Sequence, residues 1–326
     1  MIRIALARAA RFALALLLAG FTVSAAAQSW PAKPVRFIVP FPPGAAPDII
    51  ARLVADKLGG LWGQQVIVDN RPGAGGISGM SALVRSPADG YTLAFVPAST
   101  LTLTPHLFKD PQFNIDRELV SIAAIGTSPM MVAVNPASGV NTLDDLVRTV
   151  KAQPGKVNFA SPAVNSVPHL TADMLNRAAG MQLYTVPYSG SVAASTATMT
   201  GEAVVTIDGL PPLVPQVKSG KLRAIAVTSR QRLPGFESVP TVAETFPGYE
   251  SIGWFGVFGP AGVPAPVIER VNRDVNTVIQ MPDVVARFNE LGVYPNPGSP
   301  KALDDFLQAQ RALWKKVVQD VGLQAQ

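Results

Sequence analysis

Residues 35–58 read Val-Arg-Phe-Ile-Val-Pro-Phe-Pro-Pro-Gly-Ala-Ala-Pro-Asp-Ile-Ile-Ala-Arg-Leu-Val-Ala-Asp-Lys-Leu, and the change of period inside this stretch decides the fold class. Val35 to Phe41 is a continuous β-rich run, the pattern of a strand covered on both faces. Pro42-Pro43-Gly44-Ala45-Ala46 breaks it. From Asp48 the period turns helical, with Ile50, Leu53, Val54 and Leu58 on one face. Asp48, Arg52 and Asp56 recur at four-residue spacing on the other and are expected to form a solvated side with weak ion pairs. Strand, small-residue turn and helix together make the unit of α/β proteins with largely parallel sheets.

The unit repeats along the chain. Val66-Ile67-Val68 predicts a second strand, followed by the glycine-rich Asn70-Arg71-Pro72-Gly73-Ala74-Gly75-Gly76, and Tyr91 to Val96 predicts a third, ending in Pro97-Ala98-Ser99-Thr100. Ser121 to Val134 is a long apolar stretch interrupted by Gly126 and Pro129, as a crossover between two lobes would be. Thr142 and Asp145 then have capping-box spacing, and Leu143, Leu146, Val147 and Val150 form a buried stripe. Val157 to Ala160 predicts a strand, Ser161-Pro162-Ala163-Val164-Asn165-Ser166 a loop, and the helix after it carries Leu170, Met174 and Ala178 and stops at Gly180. Val204 to Ile207 and Leu222 to Thr228 predict further strands, Gly253 to Phe258 a return crossover. The C-terminal region is helical, and its apolar stripes (Val267, Val271, Val275 and Val278; Leu303, Phe306, Leu307, Leu313, Trp314 and Val317) are expected to be core.

Composition sets the outer limits. Arg3, Arg8 and Arg11, the apolar run Phe12 to Val23 and the small residues Ala25-Ala26-Ala27 follow the order of a secretory signal peptide, with cleavage expected after about Ala27. Its apolar core is too short for a spanning helix of about 20 residues. Without those three arginines the 27 basic side chains fall to 24, against 22 acidic ones. No basic stripe is visible, so nucleic acid is not an expected partner. The chain has no cysteine, which excludes disulfides, thiolate nucleophiles, thiolate metal sites and a lipidated cysteine together. About 300 remaining residues exceed what one core usually supports, so two lobes are expected.

Catalytic constellations are missing from the sequence. His106 and His169 are the only histidines; there is no Gly-x-Ser-x-Gly elbow and no His-Glu-x-x-His pair. The run Gly73 to Gly79 lacks both the third glycine of a dinucleotide fingerprint and the Gly-Lys-Ser/Thr of a P-loop, so no cofactor and no metal are expected. The informative pattern is a recurrence: loops 42–47, 72–77 and 161–166 each join a strand to a helix through Pro, Gly, Ala and Ser. Small side chains leave main-chain amides accessible at helix N-termini, whose unpaired N–H donors favour anions, carboxylates above all. In open α/β sheets such loops gather at the carboxyl edge of the strands.

Several ordered segments carry a resemblance: Trp30-Pro31-Ala32-Lys33-Pro34-Val35-Arg36-Phe37-Ile38-Val39-Pro40-Phe41, Asn70 to Gly76, Asp89-Gly90-Tyr91-Thr92-Leu93, Val186-Pro187-Tyr188-Ser189-Gly190, Gly220-Lys221-Leu222-Arg223-Ala224, Pro240-Thr241-Val242-Ala243-Glu244, Trp254, and Gly259-Pro260-Ala261-Gly262. The chain resembles the Bug (TctC-like) extracytoplasmic solute-binding proteins of tripartite tricarboxylate transporters. That resemblance implies an α/β, two-lobed periplasmic binding protein fold of type II kind, each lobe a mixed, mostly parallel sheet flanked by helices, with two hinge crossovers near 126–131 and 250–254. The expected lobes are 28–128 with 252–326, and 129–251. It further implies a small carboxylate ligand held mainly by main-chain amides and bridging waters, and, as partner, the permease subunits of a transporter. A receptor that reads the liganded form, making the protein a sensor, stays open as the alternative, and an enzyme comes last. A monomer is expected.

Carried over by position, the ligand-binding residues expected are Phe41, Pro43, Gly44, Ala45, Ala46 and Asp48 from the first loop, and Gly75 and Gly76 from the second. Ser99 and Thr100 should end the third strand and line its wall. Ser161, Val164, Asn165 and Ser166 should face them from the second lobe, with His169 orienting that loop. Asp208 stands where the family often has an acidic residue able to meet an amino group or a water; a turn aspartate before Gly209 is the alternative reading. The chain departs from the family pattern where selectivity would be set. Pro43-Gly44-Ala45 replaces Pro-Gly-Gly, Pro47 is added, the 161–166 loop has lost its glycines, and Ala197 replaces a frequent aspartate. Such changes stiffen loops and limit close approach.

Overall fold

In the computed structural model, which describes residues 30–320, the stretch 35–58 forms the expected strand and helix with one change of boundary. β1 is Val35–Val39; Pro40 has no N–H to donate, so pairing stops there. Phe37, Ile38 and Val39 are fully buried, as a strand with neighbours on both sides and helices on both faces requires. The helix is Ala46–Trp62, with Pro47 in its first turn and Gly63 closing it at φ 63°. From Lys33 onward the chain forms one unit, to which the following description applies.

β1 lies between β2 (Val66–Asn70) and β3 (Thr92–Pro97), all parallel. β9 (Ile252–Pro260) runs antiparallel to β3, and β4 (Leu119–Val134) antiparallel to β9; the short β10 (Tyr294–Pro295) closes the other side of β4. β4 has 16 residues and so spans about 50 Å. It is one continuous strand: register shifts against β9 fall just upstream of Gly126, and Pro129 pairs with Ile252 without a break. Its pairing with β9 ends at Pro129. From Met130 it instead joins β7 (Val205–Gly209) and β8 (Arg223–Val227), both antiparallel. β5 (Asn158–Ser161) and β6 (Tyr184–Pro187) extend that second sheet in parallel with β7. Each sheet is thus mostly parallel with a reversed element, β9 and β10 in the first and β4 in the second.

The two sheets share a connection pattern. β1, β2 and β3 lead into helices Ala46–Trp62, Ile77–Val84 and Ala98–Thr102; β5, β6 and β7 lead into Val167–Ala179, Ser191–Thr200 and Leu210–Lys218. The segment 98–100, expected as a strand end, is the first turn of a helix, because Pro97 ends the ladder and suits the position before a first turn. The first sheet is covered by helices Ala265–Val278 and Pro300–Asp320. Trp254 meets Phe306 edge-on at 5.6 Å between ring centres, and Phe37, Phe95 and Phe255 stack across three strands at 6.4 and 6.0 Å. The expected signal peptide, 1–27, lies outside the described residues. No described helix is long and apolar enough to cross a membrane.

Candidate ligand-binding cleft

All six strand-to-helix connections reach one cavity of about 270 Å³. The first sheet brings Phe41, Ala45 and Ala46, then Gly75 and Gly76, then Ser99; the second brings Val164, Asn165 and Ser166, then Ser189 to Ser191, then Asp208. Ser128, Met130, Gly253, Trp254 and Phe255 of the crossing strands contribute the rest of the wall. Segments 43–48 and 161–166 therefore share a cavity, although they are more than a hundred residues apart.

Five of the six helices start without a side-chain cap: Ala45, Gly76, Pro97, Gly190 and Gly209 precede them and offer no acceptor. A helix leaves its first N–H groups unpaired, and Ser, Thr, Asp or Asn usually fills one of them. The capping boxes at Thr142 and Thr241, on helices outside the cavity, show the chain using that device elsewhere. At the cavity no side chain of the chain itself takes that place at these five helix starts. Among the described residues no Lys, Arg or His side chain lines the wall, and Asp208 is its only carboxylate. An anion here has helix N-termini as its source of positive potential.

Six of the expected residues do not line the cavity, and the structure shows what they do instead. Asp48 is 3% exposed, not on a solvated face. Its Oδ2 accepts the Gly44 N–H at 2.9 Å, its Oδ1 accepts Asn70 Nδ2 at 2.9 Å, and Arg52 pairs with it at 2.9 Å. Asn70 Nδ2 also donates to the Phe41 carbonyl at 3.1 Å. Burial would raise the Asp48 carboxyl, but Arg52, the Gly44 N–H and Asn70 outweigh it and hold it below the ordinary carboxylate value. It ties the loop down from behind, which the period of a helix face cannot reveal. Pro43 and Gly44 form the outer part of that loop, Gly44 at φ 78° and against Val192 of the Ser191–Thr200 helix.

Thr100 is fully buried behind Gly76: a Cβ on Gly76 would lie 2.6 Å from its Oγ1. Ser161 turns its hydroxyl to the Ala163 carbonyl at 3.2 Å. His169 stands behind its loop as well. Its Nδ1 accepts the Asn165 N–H at 3.2 Å, supporting Asn165 at φ 59°, while Ser166 donates to the Ala163 carbonyl at 2.7 Å and caps the helix. Burial pushes the His169 imidazole below its ordinary value against the opposing pull of Asp173, which keeps Nδ1 an acceptor.

Sequence reasoning missed the loop 188–191. Tyr188-Ser189-Gly190-Ser191 has the same form as the other loops, an apolar strand, a glycine and a small-residue helix start, and was legible on that ground. Pro97 and the floor residues Met130, Trp254 and Phe255 carry no comparable local signal, since their side chains read simply as core.

A family model described as "Tripartite tricarboxylate transporter family receptor" matches residues 50–323. The chain belongs to this family. Among its relatives within the receptor family, Protein BugT of Bordetella pertussis is 34% identical over 93% of this chain and 94% of its own. A solved R. palustris structure with adipate superposes with a TM-score of 0.89 at 29% identity, covering 91% of this chain and all of that one. The periplasmic binding protein BugD gives 0.86 at 29% with the same coverage. MatC from Rhodopseudomonas palustris with bound malate gives 0.82 at 26%, over 89% of this chain and all of that one. The two-lobed binding-protein fold expected from the sequence is the fold of these receptor-family structures, and these relatives are binding proteins, not enzymes.

Proposed function

We propose that the protein captures a small carboxylate-bearing solute between two lobes, 28–128 with 252–326 and 129–251, and presents the closed form to the permease of a tripartite tricarboxylate-type transporter. The signal-peptide pattern of residues 1–27 and the name of BugD support a periplasmic location, with the mature chain starting at about Gln28. One observation carries the reading: uncapped helix N-termini from both sheets converge on a cavity whose wall holds no cationic side chain. A carboxylate oxygen takes the place of the missing cap, and the apolar wall of Phe41, Met130 and Val164 accommodates a carbon skeleton. The relatives solved with adipate and malate support the same ligand chemistry.

Melting-temperature measurements against a panel of mono- and dicarboxylates test this. A binder at 100 times its Kd adds about 2.7 kcal/mol to stability, a clear upward shift. A flat response to every acid would remove the proposal.

A further inference from the structure

Asp208 sits in the cavity wall with half of its carboxyl unused. It lies on β7 opposite Met131 of β4 and is 5% exposed. Its Oδ1 accepts the Gly209 N–H at 2.7 Å, while Oδ2 is enclosed and has no partner. The next residue, Gly209, abuts Ala46: a Cβ placed on Gly209 would lie 3.2 Å from the Ala46 Cβ. Ala46 opens the uncapped helix assigned above to the ligand carboxylate. An anion received there enters a cavity whose described wall already holds a carboxyl group and no cation. Two carboxylates sharing such a site cannot both stay ionised, and the cheaper state keeps one proton between them.

We propose that Asp208 takes one proton from solvent as the anion enters and, as the neutral acid, donates it from Oδ2 to a ligand oxygen, so that capture is coupled to proton uptake. This rests on the carboxylate reading above. The surroundings leave Asp208 without a competing charge. Strands β4 and β5 and the Ser191–Thr200 helix contain no ionisable residue. The Leu210–Lys218 helix carries only Lys218, at its far end. The Val167–Ala179 helix carries His169, Asp173 and Arg177, and the Ala46–Trp62 helix carries Asp48, Arg52, Asp56 and Lys57. None of these governs Asp208: burial pushes its carboxyl up to about 6, and only Ser191 and the Gly209 N–H oppose that. A second anion in the cavity pushes it further in the same direction.

Calorimetric titration of the mature chain with adipate, malate, benzoate and 3-phenylpropionate, in buffers of different ionisation enthalpy, counts the protons. For the acids that bind, close to one proton is taken up at pH 7.5, and affinity falls about tenfold per pH unit between 6.5 and 8. Asp208→Asn places a permanent donor of the same shape; it abolishes the uptake, flattens the pH profile and binds at pH 8 at least as tightly as the wild type. Binding without uptake, uptake that survives in Asp208→Asn, or more than tenfold weaker binding by that variant at every pH overturns proton coupling and leaves carboxylate capture standing. Failure of all four acids to bind, with the protein folded by circular dichroism, removes both.

Discussion

Burying the Asp208 carboxyl with only Ser191 and the Gly209 N–H to favour its charge costs stability whenever it is ionised. The folded chain holds its proton up to about pH 6, whereas the ordinary value is 3.8. Between these limits the native state binds a proton that the unfolded state has released, so stability falls as pH rises through the window, by about 3 kcal/mol in all. Asp208→Asn escapes this loss. Urea unfolding of the ligand-free protein should therefore show the variant gaining on the wild type by up to about 3 kcal/mol from pH 4 to pH 7.5; an unchanged gap at the two pH values would count against the buried, ionised state. His169 works in the opposite sense. Its folded value lies below the ordinary 6.5, so the unfolded chain protonates first and stability is lost as pH falls below about 6.5. Once the intrinsic pH dependence of exchange is divided out, protection of the Asn165 amide should fall toward pH 5, and His169→Ala should abolish that change in protection. Protection of Asn165 that stays constant with pH in the wild type would show that the imidazole does not hold the loop.

At the scale of elements, the Ala46–Trp62 helix begins without a cap and depends on Asp48 from within its own first turn. That carboxylate joins the helix to Gly44 and to Asn70 at the end of β2, so one residue fixes the loop that faces the ligand. Removing it strands the Gly44 N–H and the Asn70 amide. Asp48→Ala should cost about 1–3 kcal/mol and weaken acid binding, with Asp48→Asn recovering part of both; a variant as stable as the wild type in urea would show the latch to be idle. The strand–helix units themselves were legible because hydrophobic periods of two and 3.6 are local properties. So was the anion-binding character of the loops, because Pro, Gly, Ala and Ser in sequence leave the amides bare. Which loop residues face inward was not legible: Ala45 and Asp48 are three residues apart, yet one lines the cavity and the other braces it.

For the whole molecule, β4 is the member common to both sheets, and Thr228 ties the crossings together. Its buried Oγ1 accepts the Met130 N–H at 2.7 Å and donates toward the Ser251 carbonyl at 2.5 Å, where the chain returns to β9. Thr228→Val keeps the shape and leaves that N–H unpaired, at a cost of about 1–3 kcal/mol readable by thermal unfolding; a neutral outcome would mean water replaces the hydroxyl. Across the cleft, a Cβ on Gly44 would stand 2.8 Å from Val192 Cγ2. Gly44→Ala is therefore expected to oppose closure and lower affinity about tenfold, with Val192→Ala restoring part of the loss because the overlap is relieved while the strain at positive φ remains. Small-angle scattering with and without a bound acid reads the closure directly. No rescue by Val192→Ala would place the defect in the loop alone.

By itself the sequence determined the class of the fold, the crossover along β4 and the family, for these rest on periodicity and on ordered local motifs that survive without knowledge of contacts. Tertiary structure alone decided which side chains meet. It turned Asp48, Thr100 and His169 behind the wall, brought Tyr188 to Ser191 to the cavity, and left one oxygen of Asp208 without a partner. The reason is that burial and pairing depend on what folds over a residue from far along the chain, and no local pattern carries that.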